Sequence, residues 1–295
     1  METINNAVRL LAKRPSILIL TIITSIVLCV IENLLMTLFY GITMFKTGSP
    51  FDDYVNLVQF VIDTAIVPQT AVKIIIALVV LVAVAALVFG LLLSGYFNIL
   101  TNAVQGKPKK PGSEFLAGVR KYFFRMVSVN LWVLSLLILF VIYVVIASVP
   151  AAIFIDNALN GDVNVVAGVL LFVITIIVLF FSFAFFRQYI TFWYPSALVF
   201  NKNHFKVAKK VSDKHFWSLL SKYIIFDIIL VLFDTIYVIA NFSMANAQVV
   251  SGLTSNVLLI VNIVFKTIFI AVTVCFVFTS FHKLSESSKL KKIQY

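Results

Sequence analysis

Four ionisable residues stand inside otherwise apolar stretches of the chain: Glu32, Asp227, Asp234 and Lys266. Chemistry has to be sought there first, because a charge at the centre of a bilayer span costs roughly 2.5–3.5 kcal/mol on insertion scales unless it is paired, neutralised or near water. Asp227 and Asp234 are seven residues apart, so on one helix they share a face about 10 Å apart along the axis. Counted inward from the outer ends of their stretches, Asp234 lies about 9 Å deep, Glu32 and Lys266 about 15 Å, and Asp227 about 20 Å. Lys266 is level with the gap between the aspartates, and the expected arrangement is a salt bridge from it to Asp234 or Asp227. Asn262, one turn before Lys266 on the same face, belongs to the same polar network, as does Asn33 beside Glu32. The network reads either as an interhelical polar clamp or as a pathway for an ion, a proton or a headgroup. Three acids against one base leave charge that needs water, a proton or a cation.

Other chemistries find no constellation. His204 and His215 are eleven residues apart, three helical turns, too far to ligate one metal ion together. Cys29 and Cys275 lie in apolar stretches without CxxC spacing, so they read as buried thiols rather than a disulfide or a zinc site. No HExxH, GxSxG, phosphate-loop or paired-carboxylate glycosidase pattern occurs. The expectation is a non-enzyme with no catalytic residue, no metal and no cofactor.

The elements that must position these charges follow from composition. Of 295 residues, 62% are hydrophobic and only 12% charged, with a mean hydropathy of +1.08; ordinary soluble domains have roughly 45–50% and 25%. A soluble chain of this size must clothe its outside with polar residues, so the composition requires a membrane protein. Six apolar runs are long enough to span: 17–42, 71–100, 126–154, 163–186, 219–240 and 257–281. Of the 23 Lys and Arg, Lys46 and Lys73 fall on one side, Lys266 falls inside a span, and the rest lie on the other side. By the positive-inside rule, both termini face the cytoplasm and the protein belongs in the plasma membrane. The net charge of +11 is therefore a topological signal, and nucleic acid is not the expected partner.

The basic blocks also have helical periodicity. In 114–126, Phe115, Leu116, Val119, Tyr122, Phe123 and Met126 recur at helical spacing, with Glu114, Gly118, Lys121 and Arg125 opposite. In 204–214, Phe205, Ala208 and Val211 oppose Lys206, Lys209, Lys210 and Asp213. A third such block, around 4–13, sets Ile4, Ala7, Val8 and Leu11 against Arg9 and Lys13. The expected fold is all-α: a single integral membrane domain of six transmembrane helices in three hairpins, each preceded by a basic amphipathic interfacial helix. Repeat-like units of 1–112, 113–202 and 203–295 follow, all in one orientation, unlike the inverted repeats of many alternating-access carriers. Arg120, Lys121, Arg125, Lys206, Lys209 and Lys210 are the residues expected to meet anionic lipid headgroups. The segment 51–67 reads as a short helix resting at the outer interface.

The stretches "FLAGVRKYFFRMVSVNLW" and "FWYPSALVFNKNHFKVAKKVSDKHFWSLL" resemble bacterial six-span membrane proteins akin to the membrane domain attached to some glycerophosphodiester phosphodiesterases. The shared features are the aromatic-proline step at Tyr194 and Pro195, the basic helix centred on Ala208 and the aromatic Trp217. The resemblance implies architecture and membrane location. No phosphodiesterase domain lies within these residues, so that activity does not carry over. The functional expectation is an accessory, scaffold or lipid-handling membrane protein with anionic lipids and a membrane protein as partners; the alternative is a transporter or channel for a small solute or ion that uses the intramembrane charges.

Overall fold

The computed structural model describes the backbone of residues 7, 9–12, 14–44, 58–60, 62–63, 66–108, 113–159, 165–246 and 252–287. Seven helices are bounded among the described residues: α1 Ile17–Met44, α2 Pro68–Val104, α3 Glu114–Leu159, α4 Val165–Val199, α5 His204–Lys214, α6 Phe216–Asn246 and α7 Gly252–Ser287. No strand occurs among the described residues. All of these helices except α5 are long and apolar enough to cross a membrane, and the chain is an all-α polytopic membrane protein. Helices are the natural solution, because hydrocarbon offers no partner to an unsatisfied backbone N–H or C=O.

One expected interfacial helix is not separate. Residues 114–126 form the opening turns of α3, a helix of 46 residues. That is about 69 Å at 1.5 Å per residue, more than twice the roughly 30 Å hydrocarbon core. The continuity has a sequence cause, since neither proline nor glycine occurs between Gly118 and Pro150 to interrupt it. Gly118, expected on the polar face, is buried instead. A Cβ there would meet the Ser94 carbonyl oxygen at 2.7 Å and the Gly95 Cα at 3.0 Å, so the glycine permits α2 and α3 to approach closely. Asn98 Nδ2 donates to the Glu114 carbonyl at 2.8 Å and holds this crossing.

Helix α5 is a separate element of 11 residues. Asn203, with a left-handed φ of 56°, turns the chain sharply before it, a conformation that asparagine tolerates better than most residues. The expected surface helix at 51–67 lies mostly outside the described residues, as does the first interfacial helix apart from residue 7 and the helical residues 9–12.

The chain packs as two compact units. The first comprises Met1–Met36, Leu93–Tyr122 and Gln188–Tyr295, and the second Thr37–Leu92 and Phe123–Arg187. Aromatic rings fill the first: Phe97 meets Phe278 at 4.9 Å and Tyr194 at 5.2 Å, Phe192 meets Phe281 at 5.5 Å, and Phe226 meets Phe276 at 5.2 Å. The second unit presents long aliphatic faces, with Val79, Leu81, Leu139, Val141, Ile174 and Ile177 all exposed, as expected of surfaces solvated by lipid. Inside it, Phe140 stacks on Phe186 at 4.5 Å and Tyr143 Oη meets Ser182 Oγ at 3.1 Å.

Candidate functional site

Within the first unit, three spans converge on the intramembrane charges. Helix α1 supplies Glu32, α6 supplies Asp234, and α7 supplies Asn262 and Lys266. Lys266 Nζ lies 2.5 Å from Glu32 Oε2 and 3.6 Å from Asp234 Oδ1. Asn262 Nδ2 donates to the same Glu32 oxygen at 2.9 Å. The nearest partner of Lys266 is thus Glu32 rather than an aspartate. Asp227, the other expected partner, is absent from the ion pairs of Lys266 among the described residues; it lies two turns along α6 from Asp234, about 10 Å away. The ammonium is well enclosed, its side chain only 12% exposed.

Neighbouring contacts set this register. Phe233 and Phe265, which immediately precede Asp234 and Lys266, stack at 3.6 Å with planes 8° apart. One turn beyond Asp234, Tyr237 Oη donates to Asn33 Oδ1 at 3.4 Å and ties α6 to α1. Two carboxylates face one ammonium, so with every group ionised the cluster carries one excess negative charge. One acceptor remains over: the Oδ1 of Asn262, a fully buried residue, has no hydrogen-bond donor among the described residues. A buried acceptor without a donor costs about 1–3 kcal/mol, so the cluster is suited to take up a further donor, a water or a small cation.

The opposite, basic end of the first unit is built differently. Arg14, just before α1, pairs through Nη1 with Glu114 Oε2 at 3.2 Å and donates through Nη2 to the Lys107 carbonyl. This clip joins the start of α1, the turn after α2 and the start of α3. Helix α5 packs Val207, Ala208, Val211 and Ser212 inward and leaves Lys206, Lys209 and Lys210 exposed. Its ends are anchored on α4: Ser196 Oγ donates to the His204 carbonyl at 2.7 Å, and Tyr189 Oη donates to Asp213. Phe205 packs edge-on to Trp193 at 4.7 Å. Of the other expected headgroup contacts, Arg120 and Lys121 are exposed and Arg125 is half-buried.

His215 sits in the corner between α5 and α6. Burial, then the positive charges of Lys214 and Lys222, push its imidazole below the ordinary histidine range, so it is neutral at neutral pH. No group of three or more His, Cys, Asp or Glu able to hold a metal occurs among the described residues. Sequence reasoning passed over the Arg14–Glu114 clip. The signal was two opposite charges each heading an odd-numbered span, but only adjacency of those two helices turns them into a pair.

Compared with known protein families, curated proteins and solved structures, the chain matches none.

Proposed function

We propose that this chain is a non-enzymatic plasma-membrane protein that holds anionic lipid headgroups against its cytoplasmic face, in an accessory, scaffolding or lipid-handling role. The observation that supports this is the disposition of α5, whose apolar seam is buried while Lys206, Lys209 and Lys210 stand exposed beside the span ends. A helix held in this way at a membrane boundary keeps its ammonium groups at headgroup level, and each basic residue there contributes about 1 kcal/mol of attraction to an anionic leaflet. Arg120 and Lys121, in the same unit, add to that charge, and Arg125 is a further expected headgroup contact. Replacing all six by glutamine is expected to lower the anionic lipid that co-purifies with the protein, measured by mass spectrometry, at little change in thermal stability. Unchanged lipid content and preference would show that the basic faces serve topology alone.

A second reading, a transporter or channel for a small cation or proton, is favoured by one specific observation: the carboxylate in excess over the one ammonium at Lys266. It requires flux in proteoliposomes that Glu32→Gln and Asp234→Asn abolish. Lipid enrichment without flux selects the first reading.

A further inference from the structure

At the basic end of the first unit, beside the Arg14 clip, lies a cavity of about 520 Å³. It falls in the range of roughly 300–1,000 Å³ typical of small-ligand sites. Arg9, Arg14 and Lys107 bring three positive charges to its wall, Thr279 of α7 brings a hydroxyl, and Leu10 and Val104 bring apolar surface. Glu114, the acid paired with Arg14, offsets one of these charges and leaves an excess of two. Gly106, at φ +67°, reverses the chain after α2 and carries Lys107 to the cavity wall; a residue with a Cβ would be strained there.

Arg14 is held before any ligand arrives. Two of its N–H groups are committed to Glu114 and to the Lys107 carbonyl, and a guanidinium has five donors in a rigid fork. The remaining donors belong to a group that has already lost its freedom, so little further ordering opposes binding. Planar, bidentate recognition of this kind suits phosphate oxygens. Thr279 lies within the membrane-crossing part of α7 and Val104 is the last residue of α2, so the cavity spans the boundary between apolar and polar surroundings. A ligand that fills it needs an anionic head and an apolar continuation.

We propose that this cavity is a binding site for the phosphate of one anionic glycerophospholipid, with Arg9 and Lys107 supplying the neutralising charge and the clipped Arg14 the fixed donors. The lipid as source of that phosphate rests on the lipid-contacting reading above, but the site uses none of the residues assigned there. The test is titration of the purified full chain in detergent with dioleoyl phosphatidylglycerol, followed by native mass spectrometry, with dioleoyl phosphatidylcholine, glycerol 1-phosphate and inorganic phosphate as parallel probes. Wild type is expected to show one tight phosphatidylglycerol per chain. The Arg9→Gln, Lys107→Gln double variant leaves the Arg14–Glu114 pair in place and is expected to weaken that event about 30-fold, if each charge contributes as a basic residue at a membrane surface does. Val104→Trp, which fills the cavity without altering charge, is expected to weaken it as well. Unchanged tight binding in both cavity variants, each melting as wild type does, would overturn the site while leaving the broader lipid reading standing. No preference of wild type for phosphatidylglycerol over phosphatidylcholine would overturn both. Binding of glycerol 1-phosphate or inorganic phosphate in place of lipid, lost in the double variant, would keep the phosphate chemistry and overturn the lipid source.

Discussion

The two compact units are made from the same kind of apolar helix, yet they hold their polar groups in opposite ways. The first unit brings Glu32, Asn262, Asp234 and Lys266 together inside the membrane-crossing part of α1, α6 and α7, and clips Arg14 to Glu114 at the basic end. In the second, the contacts among the described spans include ring stacking such as Phe140 on Phe186 and the hydroxyl pair of Tyr143 with Ser182, and the outer faces are broadly aliphatic. Lipid is as apolar as leucine, so apolar contact between spans has little hydrophobic drive and gains mainly from close packing. Charges and hydrogen bonds have only each other as partners in hydrocarbon and therefore specify which helices meet. The difference teaches that register in the first unit is held by a few costly groups, and in the second by many small, replaceable contacts.

The largest effect should come from breaking the charge cluster. Lys266→Met leaves Glu32 and Asp234 facing each other without a compensating cation, and removal of one member of a buried ion pair typically costs about 3–5 kcal/mol. Thermal melting in detergent should fall markedly for this variant. The triple variant Glu32→Gln, Asp234→Asn, Lys266→Met should recover more than half of the loss, because the uncompensated charges go with the pair. A single variant that melts like wild type would show that the cluster does not hold α1, α6 and α7 together.

A smaller effect is expected in the second unit. Phe140→Ala removes the ring stacked on Phe186, a pair contribution of about 0.5–1.5 kcal/mol, and lipid can occupy part of the space. A shift in melting as large as that of Lys266→Met would erase the proposed contrast between the units.

The smallest effect is a pH dependence at the basic end. His215 has a folded pKa below its ordinary value, so the unfolded chain binds its proton first as pH falls. The stability associated with the neutral imidazole is full above the usual histidine pKa of about 6.5 and is lost as pH drops below it toward the folded value. Wild type should melt at a slightly lower temperature at pH 5.5 than at pH 7.5, and His215→Gln should remove that part of the slope. A slope identical in the variant would place the pH dependence elsewhere.

Much of the fold was legible without coordinates. Long apolar runs in a chain that is 62% hydrophobic can satisfy their backbone only as spanning helices, and this holds whatever their neighbours are. The amphipathic pattern of 204–214 likewise predicts its own buried and exposed faces, because helical periodicity is local: Ala208 and Val211 are buried and the lysines stand out. Periodicity failed to show where the helix beginning at Glu114 would end, since an interfacial stretch and a span share one period and only the absence of a break joins them.

Partnership was the other matter left to the tertiary structure. Depth counting placed Lys266 level with the aspartates of α6, its neighbour in the chain, and so favoured Asp234 or Asp227. The closest carboxylate instead comes from Glu32, more than two hundred residues away, because α1 packs into the same cluster as α6 and α7. The clip of Arg14 to Glu114 and the cavity beside it have the same origin. By itself the sequence determined which segments cross the membrane, which of their faces are polar and where charge is too costly to leave alone. Which charge answers which was decided only by helix packing, because ion pairs depend on distances of a few ångströms between segments whose separation along the chain says nothing of their separation in space.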